Sequence, residues 1–286
     1  NQYVKVLQNQ LSISFSIRPS AIIKSPKTKA ARFANRWSLQ TALRFDNKVS
    51  DYGRNNIYNP FTAFPADYLL TSNNNVRQSV FFNQGSPLFG ADYTYINTRS
   101  RQLLTNGIEA RALESSEVKW RVTFLKNWAI NSDNIYSLKG NSSQFFTTRN
   151  YNIRALESEQ KLVYQPGTVF RISAAYKYSQ KLNLVESGGQ RAYLSTGSFE
   201  MKYNQTEKGS FTTRVDVINI VFNADVNSPV AYDMLNGLNA GRNYTWELSY
   251  QRNLNRNIQI SINYNGRKTP NAATVHLGGA QVRAYF

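Results

Sequence analysis

Cysteine is absent from the 286 residues, histidine occurs once, at His276, and methionine twice. Without cysteine there is no disulfide framework, no thiol nucleophile and no Cys-based zinc site, and a single histidine argues against multi-His metal centres. Acidic residues are scarce as well: 17 Asp+Glu face 34 Lys+Arg, a formal charge of +17. Long hydrophobic runs are missing too. No stretch approaches the roughly 20 apolar residues of a spanning helix, and no short apolar segment with a basic leader reads as a signal peptide. A helical membrane protein is excluded.

What is present is an aromatic load of 18 Tyr, 16 Phe and 4 Trp mixed with abundant Asn, Ser, Thr and Gln. Aromatic and β-branched residues suit pleated structure, whereas Asn and Ser suit turns and polar faces. The segment from Asn257 to Asn265 alternates polar and apolar residues without interruption, as expected of a strand with two unlike faces. The same alternation recurs in Leu11, Ile13, Phe15 and Ile17, in Val118, Trp120, Val122 and Phe124, and in Tyr244, Trp246, Leu248 and Tyr250. Two segments, 151–164 and 210–222, lose phase, and a bulge or a misplaced strand boundary is the expected reason.

Short connections are expected near Gln84, Leu125, Gln165, Gln205 and Asn253, and longer polar ones over 49–74, 184–190, 224–241 and 266–273. Tight turns at one end and loops at the other are the pattern of a transmembrane antiparallel up-and-down β-barrel, here with about 14 strands. Its strands exceed the roughly 5–6 residues usual in soluble proteins and suit a tilted bilayer crossing. A soluble β-sandwich is the competing expectation. Strand length and loop alternation count against it.

Near its end the chain carries Tyr232, Asp233, Met234, Leu235, Gly237, Leu238, Gly241, Arg242, Asn243 and Trp246. Later come Tyr264, Gly266, Arg267, Lys268, His276, Leu277 and Gly278, and finally Val282, Arg283, Ala284 and Phe286. Over residues 225–286 this resembles the C-terminal β-barrel of large outer-membrane proteins of the Bacteroidota. The resemblance implies a bacterial outer-membrane location, contact with outer-membrane lipid, and insertion by the barrel-assembly machinery, for which Val282, Ala284 and Phe286 would form the terminal signal. Ala284 stands where an aromatic is usual. The resemblance also implies a longer chain, in agreement with strand parity. Stepping back from Phe286 through about thirteen strands leaves an odd number, whereas bacterial barrels have an even one, so either one more strand lies within the chain or Asn1 is not its true start.

The excess positive charge raises nucleic-acid binding as an alternative, but the cations are spread over polar strand positions and form no patch, so no nucleic-acid partner is expected. In a barrel they would face the lumen, and Arg44, Lys119, Arg121, Arg171, Lys177, Arg214 and Glu247 are the candidates. A filled lumen is the first expectation and an anion-biased pore or transporter the second. Loop 49–74, with Tyr58, Phe61, Phe64 and Tyr68, and loop 224–241, with Tyr232, Met234 and Leu235, are candidates either to fold inward or to dock other outer-membrane or periplasmic proteins. A basic run, Lys24, Lys27, Lys29 and Arg32, falls between the first two strands. His276 is the one possible general base, with no Asp or Glu close in sequence. No catalytic site, cofactor or metal is expected, and the leading functional expectation is a non-enzymatic scaffold subunit of an outer-membrane complex serving secretion, assembly or uptake.

Overall fold

The computed structural model describes residues 5–25, 27–51, 69–105, 107–185, 189–205, 208–255 and 257–284, leaving aside the side chains of 5–7, 50, 51 and 69. The described part is all-β. Thirteen antiparallel strands follow one another in a single up-and-down sheet in the order of the sequence. They are β1 (Lys5–Ile17), β2 (Trp37–Asp51), β3 (Leu69–Phe82), β4 (Phe89–Leu104), β5 (Gly107–Leu125), β6 (Trp128–Ser143), β7 (Tyr151–Tyr164), β8 (Phe170–Asn183), β9 (Arg191–Gln205), β10 (Gly209–Phe222), β11 (Gly241–Asn253), β12 (Ile258–Lys268) and β13 (Val275–Ala284). This is the strand arrangement of a β-barrel, close to the expected strand number. Among the described residues β1 and β13 each pair on one side only, so the sheet is not closed.

Connections mostly alternate as expected, with tight turns at one end and loops at the other, although β4 and β5 are joined at the loop end by only residues 105–106. The exception at the tight-turn end is the 18–36 connection, which folds into α1 (Pro19–Ile22) and α2 (Lys29–Ala34). The basic run falls here. Thr28 caps α2 by accepting from the Ala31 amide at 3.2 Å, and Phe33 on α2 meets the rings of Trp37 and Phe82 at 6.1 and 6.0 Å. At the loop end, 49–74 is shorter than its composition suggested. Ser72 to Asn75 look like turn residues, yet they pair with both β2 and β4, and Asn75 donates to Thr98 Oγ1 at 2.8 Å. Backbone pairing with two neighbouring strands overrides the turn preference.

Register fixes which side chains share a face. Leu11, Phe45, Asn74, Arg99, Ala112 and Gly140 form one continuous cross-strand row on the same side. Following such rows through all strands gives one face rich in apolar residues and one rich in polar ones. The four tryptophans, Trp37, Trp120, Trp128 and Trp246, all stand on the apolar face. The accessible surface is 19170 Å² for 32.6 kDa, whereas a soluble monomer of this mass would expose about 12,000 Å². A single layer with an uncovered apolar face accounts for the excess.

The bulges expected in 151–164 and 210–222 are not there. β7 and β10 hold continuous register with both neighbours, and the described shifts lie instead at Lys48/Val49 and Thr123/Leu125. The phase is lost because apolar Ile153, Ile218, Ile220 and Phe222 sit on the polar face, beneath a helix described below.

Gly266 is fixed by packing. It pairs with Trp246, whose indole lies across it, so that a Cβ at this position would fall 2.1 Å from Trp246 Cε2. An aromatic laid over a facing glycine stabilises both strands. Gly266→Val is expected to displace the indole and cost about 1–3 kcal/mol, read as a lower urea midpoint in detergent micelles. Gly278→Ala, where the nearest atom would be 3.8 Å away, should leave the midpoint unchanged.

Candidate functional site: the polar face and the helix seated on it

The loop 223–240 carries α3 (Pro229–Met234), started by Pro229 at its first position and by Ser228 Oγ accepting from the Ala231 amide at 3.2 Å. Proline is favoured there because its missing N–H would have no intrahelical partner. The helix lies on the polar face. Val230, Ala231, Met234 and Leu235 form a closed apolar cluster with Ile153 of β7, Ala192 and Leu194 of β9 and Ile220 of β10. Met234 and Leu235 are 0% and 1% exposed.

Two lysines complete the seat. Lys139 of β6 forms an ion pair with Asp233. Lys181 of β8, itself buried, donates to Asn236 Oδ1 at 2.7 Å and to the Asp233 carbonyl at 3.4 Å. A helix about 9 Å long thereby engages strands β6 to β10, about 19 Å of sheet at about 4.8 Å per strand. The two lysines could not have been placed here from the sequence. Their partners are 94 and 52 residues away in the chain.

This corrects part of the docking set. Met234 and Leu235 are buried within the chain and present nothing to a partner, because the strands opposite them supply apolar side chains in place of polar ones. Tyr232 remains exposed. Tyr58, Phe61, Phe64 and Tyr68 lie outside the described residues.

All seven charged candidates share the polar face, and five of them are engaged locally. Lys119 meets Glu117 at 2.6 Å and Asp133 at 3.6 Å; Lys177 meets Glu157 at 2.6 Å; Arg214 meets Asp216 at 2.9 Å; Arg44 meets Asp46 at 4.0 Å. Arg121 donates to the carbonyls of Gln84 and Ser86 at 2.5 and 3.2 Å and so braces the β3–β4 turn. Among the described residues Arg171 Nε is buried without a hydrogen-bond partner, and Glu247 makes no ion pair. In the best-knit group Lys161 and Lys202 sit on the two oxygens of Glu200 at 3.1 and 2.6 Å; Glu200 is a carboxylate the sequence offers as a partner for lumen cations, but its two lysines were missed.

On the apolar face, rings gather at the tight-turn end. Trp37 and Phe82 are 4.8 Å apart, and Trp128 and Tyr164 are 4.7 Å apart. Tyr203, Phe211 and Tyr250 share one cross-strand row. In β11, Arg242 and Arg252 bracket Tyr244, Trp246, Leu248 and Tyr250. Ten residues at about 3.3 Å project to about 25 Å at a tilt of about 40°, the height of a barrel's apolar band. Val282 and Ala284, expected to belong to a terminal signal, stand on this face opposite Ile260 and Ile258; Phe286 lies outside the described residues.

His276 is on the apolar face too. Its Nδ1 is 2.7 Å from Tyr264 Oη and its ring lies 5.8 Å from Trp246. Among the described residues no group of three His, Asp or Glu side chains is placed to hold a metal.

The class defined by this geometry is a two-faced, up-and-down antiparallel sheet of barrel type with a loop helix on its polar side. No protein-family model matches the chain, and no curated protein matches it.

Removing one anchor should loosen the seat. Leu235→Ala is expected to cost about 2–5 kcal/mol and to abolish hydrogen-exchange protection of the Ala231 and Leu235 amides, while β2–β4 amides keep theirs.

Proposed function

We propose that the chain is an integral β-barrel of a bacterial outer membrane, acting as a non-enzymatic anchor or scaffold subunit of an outer-membrane complex. In this reading the apolar face meets lipid and the polar face lines the interior. A lipid environment gives the uncovered apolar face a solvent, and backbone groups in lipid must be paired within the sheet, which requires β1 and β13 to be closed as well. The likeness of residues 225–286 to Bacteroidota barrels supports the same location.

The observation that favours a scaffold over an open pore is the seat of α3. The chain's own loop occupies the polar side across five strands, held by a closed apolar cluster and two lysines. A conduit would leave that space to water. A second feature favours a partner in the membrane plane. Ser132 and Asn134 of β6 and Ser158 and Gln160 of β7 interrupt the apolar face between Ile130 and Leu162 on one side and Tyr136 and Leu156 on the other. The four bond to one another, with Ser158 to Asn134 at 2.7 Å and Gln160 to Ser132 at 2.8 Å. Polar side chains at membrane depth mark sites where protein replaces lipid.

The test is extraction of the native full-length protein from membranes in mild detergent, with mass spectrometry of whatever elutes with it. Stoichiometric companions are expected, reduced several-fold by Ser132→Leu with Gln160→Leu. A lone species would overturn the scaffold. Planar-bilayer recording then decides the alternative, an anion-biased pore: the intact protein is expected to be silent, and steady anion current through it would establish the pore instead.

A further inference from the structure

The cations of the two faces differ in their company. On the polar face most described lysines and arginines have a carboxylate within reach, among them Lys119, Lys161, Lys177, Lys202 and Arg214. The apolar face carries Arg99, Arg101, Arg154, Arg191, Arg242 and Lys268. None of these six makes an ion pair or a side-chain hydrogen bond among the described residues.

Their positions are ordered. Each lies in the half of its strand nearer the loop end: Arg99 and Arg101 in the latter part of β4, Arg154 close to the start of β7, Arg191 and Arg242 at the starts of β9 and β11, and Lys268 at the end of β12. Arg154 and Arg191 flank Leu182 in one cross-strand row. At the tight-turn end the same face carries Arg252 as its one cation among the described strand side chains. The acid described on this face is Glu114, already taken by the Tyr95 hydroxyl at 3.1 Å. Between the two ends runs the apolar band.

We infer that this one-sided rim of unpaired cations binds the phosphate groups of anionic lipid headgroups in the leaflet on the loop side. The inference rests on the proposed placement of the apolar face against lipid. Five of the six cations are arginines, whose planar fork takes phosphate oxygens in pairs and is weakly hydrated for a cation. Carboxylates are missing from the rim where lipid phosphates would supply the counter-charge. The asymmetry gives the barrel a phosphate-rich side and a side held by aromatic rings, and so fixes its height in the bilayer.

The experiment uses the full-length protein, stripped of native lipid and reconstituted into phosphatidylcholine vesicles containing a minor fraction of lipid A or of its dephosphorylated form. Lipid retained after detergent extraction is quantified by mass spectrometry. The native protein is expected to retain the phosphorylated form over the dephosphorylated one by about tenfold or more. Arg154→Gln with Arg191→Gln and Arg242→Gln should abolish that preference, the same three changes to Lys should keep most of it, and Arg252→Gln should leave it intact. If the triple variant does not fold, Arg154→Gln with Arg191→Gln serves in its place. Equal retention of the two lipids by the native protein, or equal loss with Arg252→Gln, would overturn the rim. A protein that never enters the vesicles would instead refute the membrane reading beneath it.

Discussion

The structure depends on keeping one phase through thirteen strands. Side chains alternate with a period of two, so a one-residue slip in any strand would carry its charged residues to the apolar face and its rings to the polar one. The register holds that phase from Leu11 to Ala284, and the two described shifts, at Lys48/Val49 and Thr123/Leu125, lie close to strand ends. Every other property follows from the two unlike faces: the gathered rings, the paired charges, the seat of α3 and the rim of arginines.

Electrostatics on the polar face is short-ranged and mutual. Glu200 holds Lys161 and Lys202 together, Glu117 and Asp133 share Lys119, and Arg214 turns to Asp216 beside it on its own strand. Half-exposed pairs of this kind stabilise modestly one by one, and networks do better. Their effect here is to keep a cation-rich face from repelling itself, with the remaining excess spread among groups such as Arg121, which spends its donors on turn carbonyls.

Much of the fold was legible in the sequence because period-two alternation is local information. Trp120, Val122, Tyr244 and Leu248 announce their face without reference to any other strand, and the seven charged candidates fall together on the opposite face. Non-local facts were not legible. The apparent slips at Ile153 and Ile218 are the floor under α3, and that helix is brought to them by chain folding. Reading them as bulges mistook a packing site for a change of register. Asn73 to Asn75 failed for the opposite reason: their turn preference is real, but both neighbouring strands offer partners. The loop helix carried the one available hint, since Val230, Met234 and Leu235 are too apolar to be left in water.

Membrane insertion is the central claim, and the four tryptophans report on it directly because all of them stand on the apolar face. Their fluorescence should be measured in vesicles whose acyl chains carry bromine, against vesicles with ordinary chains. Strong quenching, dependent on bromine depth, is the predicted result. Unquenched emission from properly folded protein in the same vesicles would contradict the account.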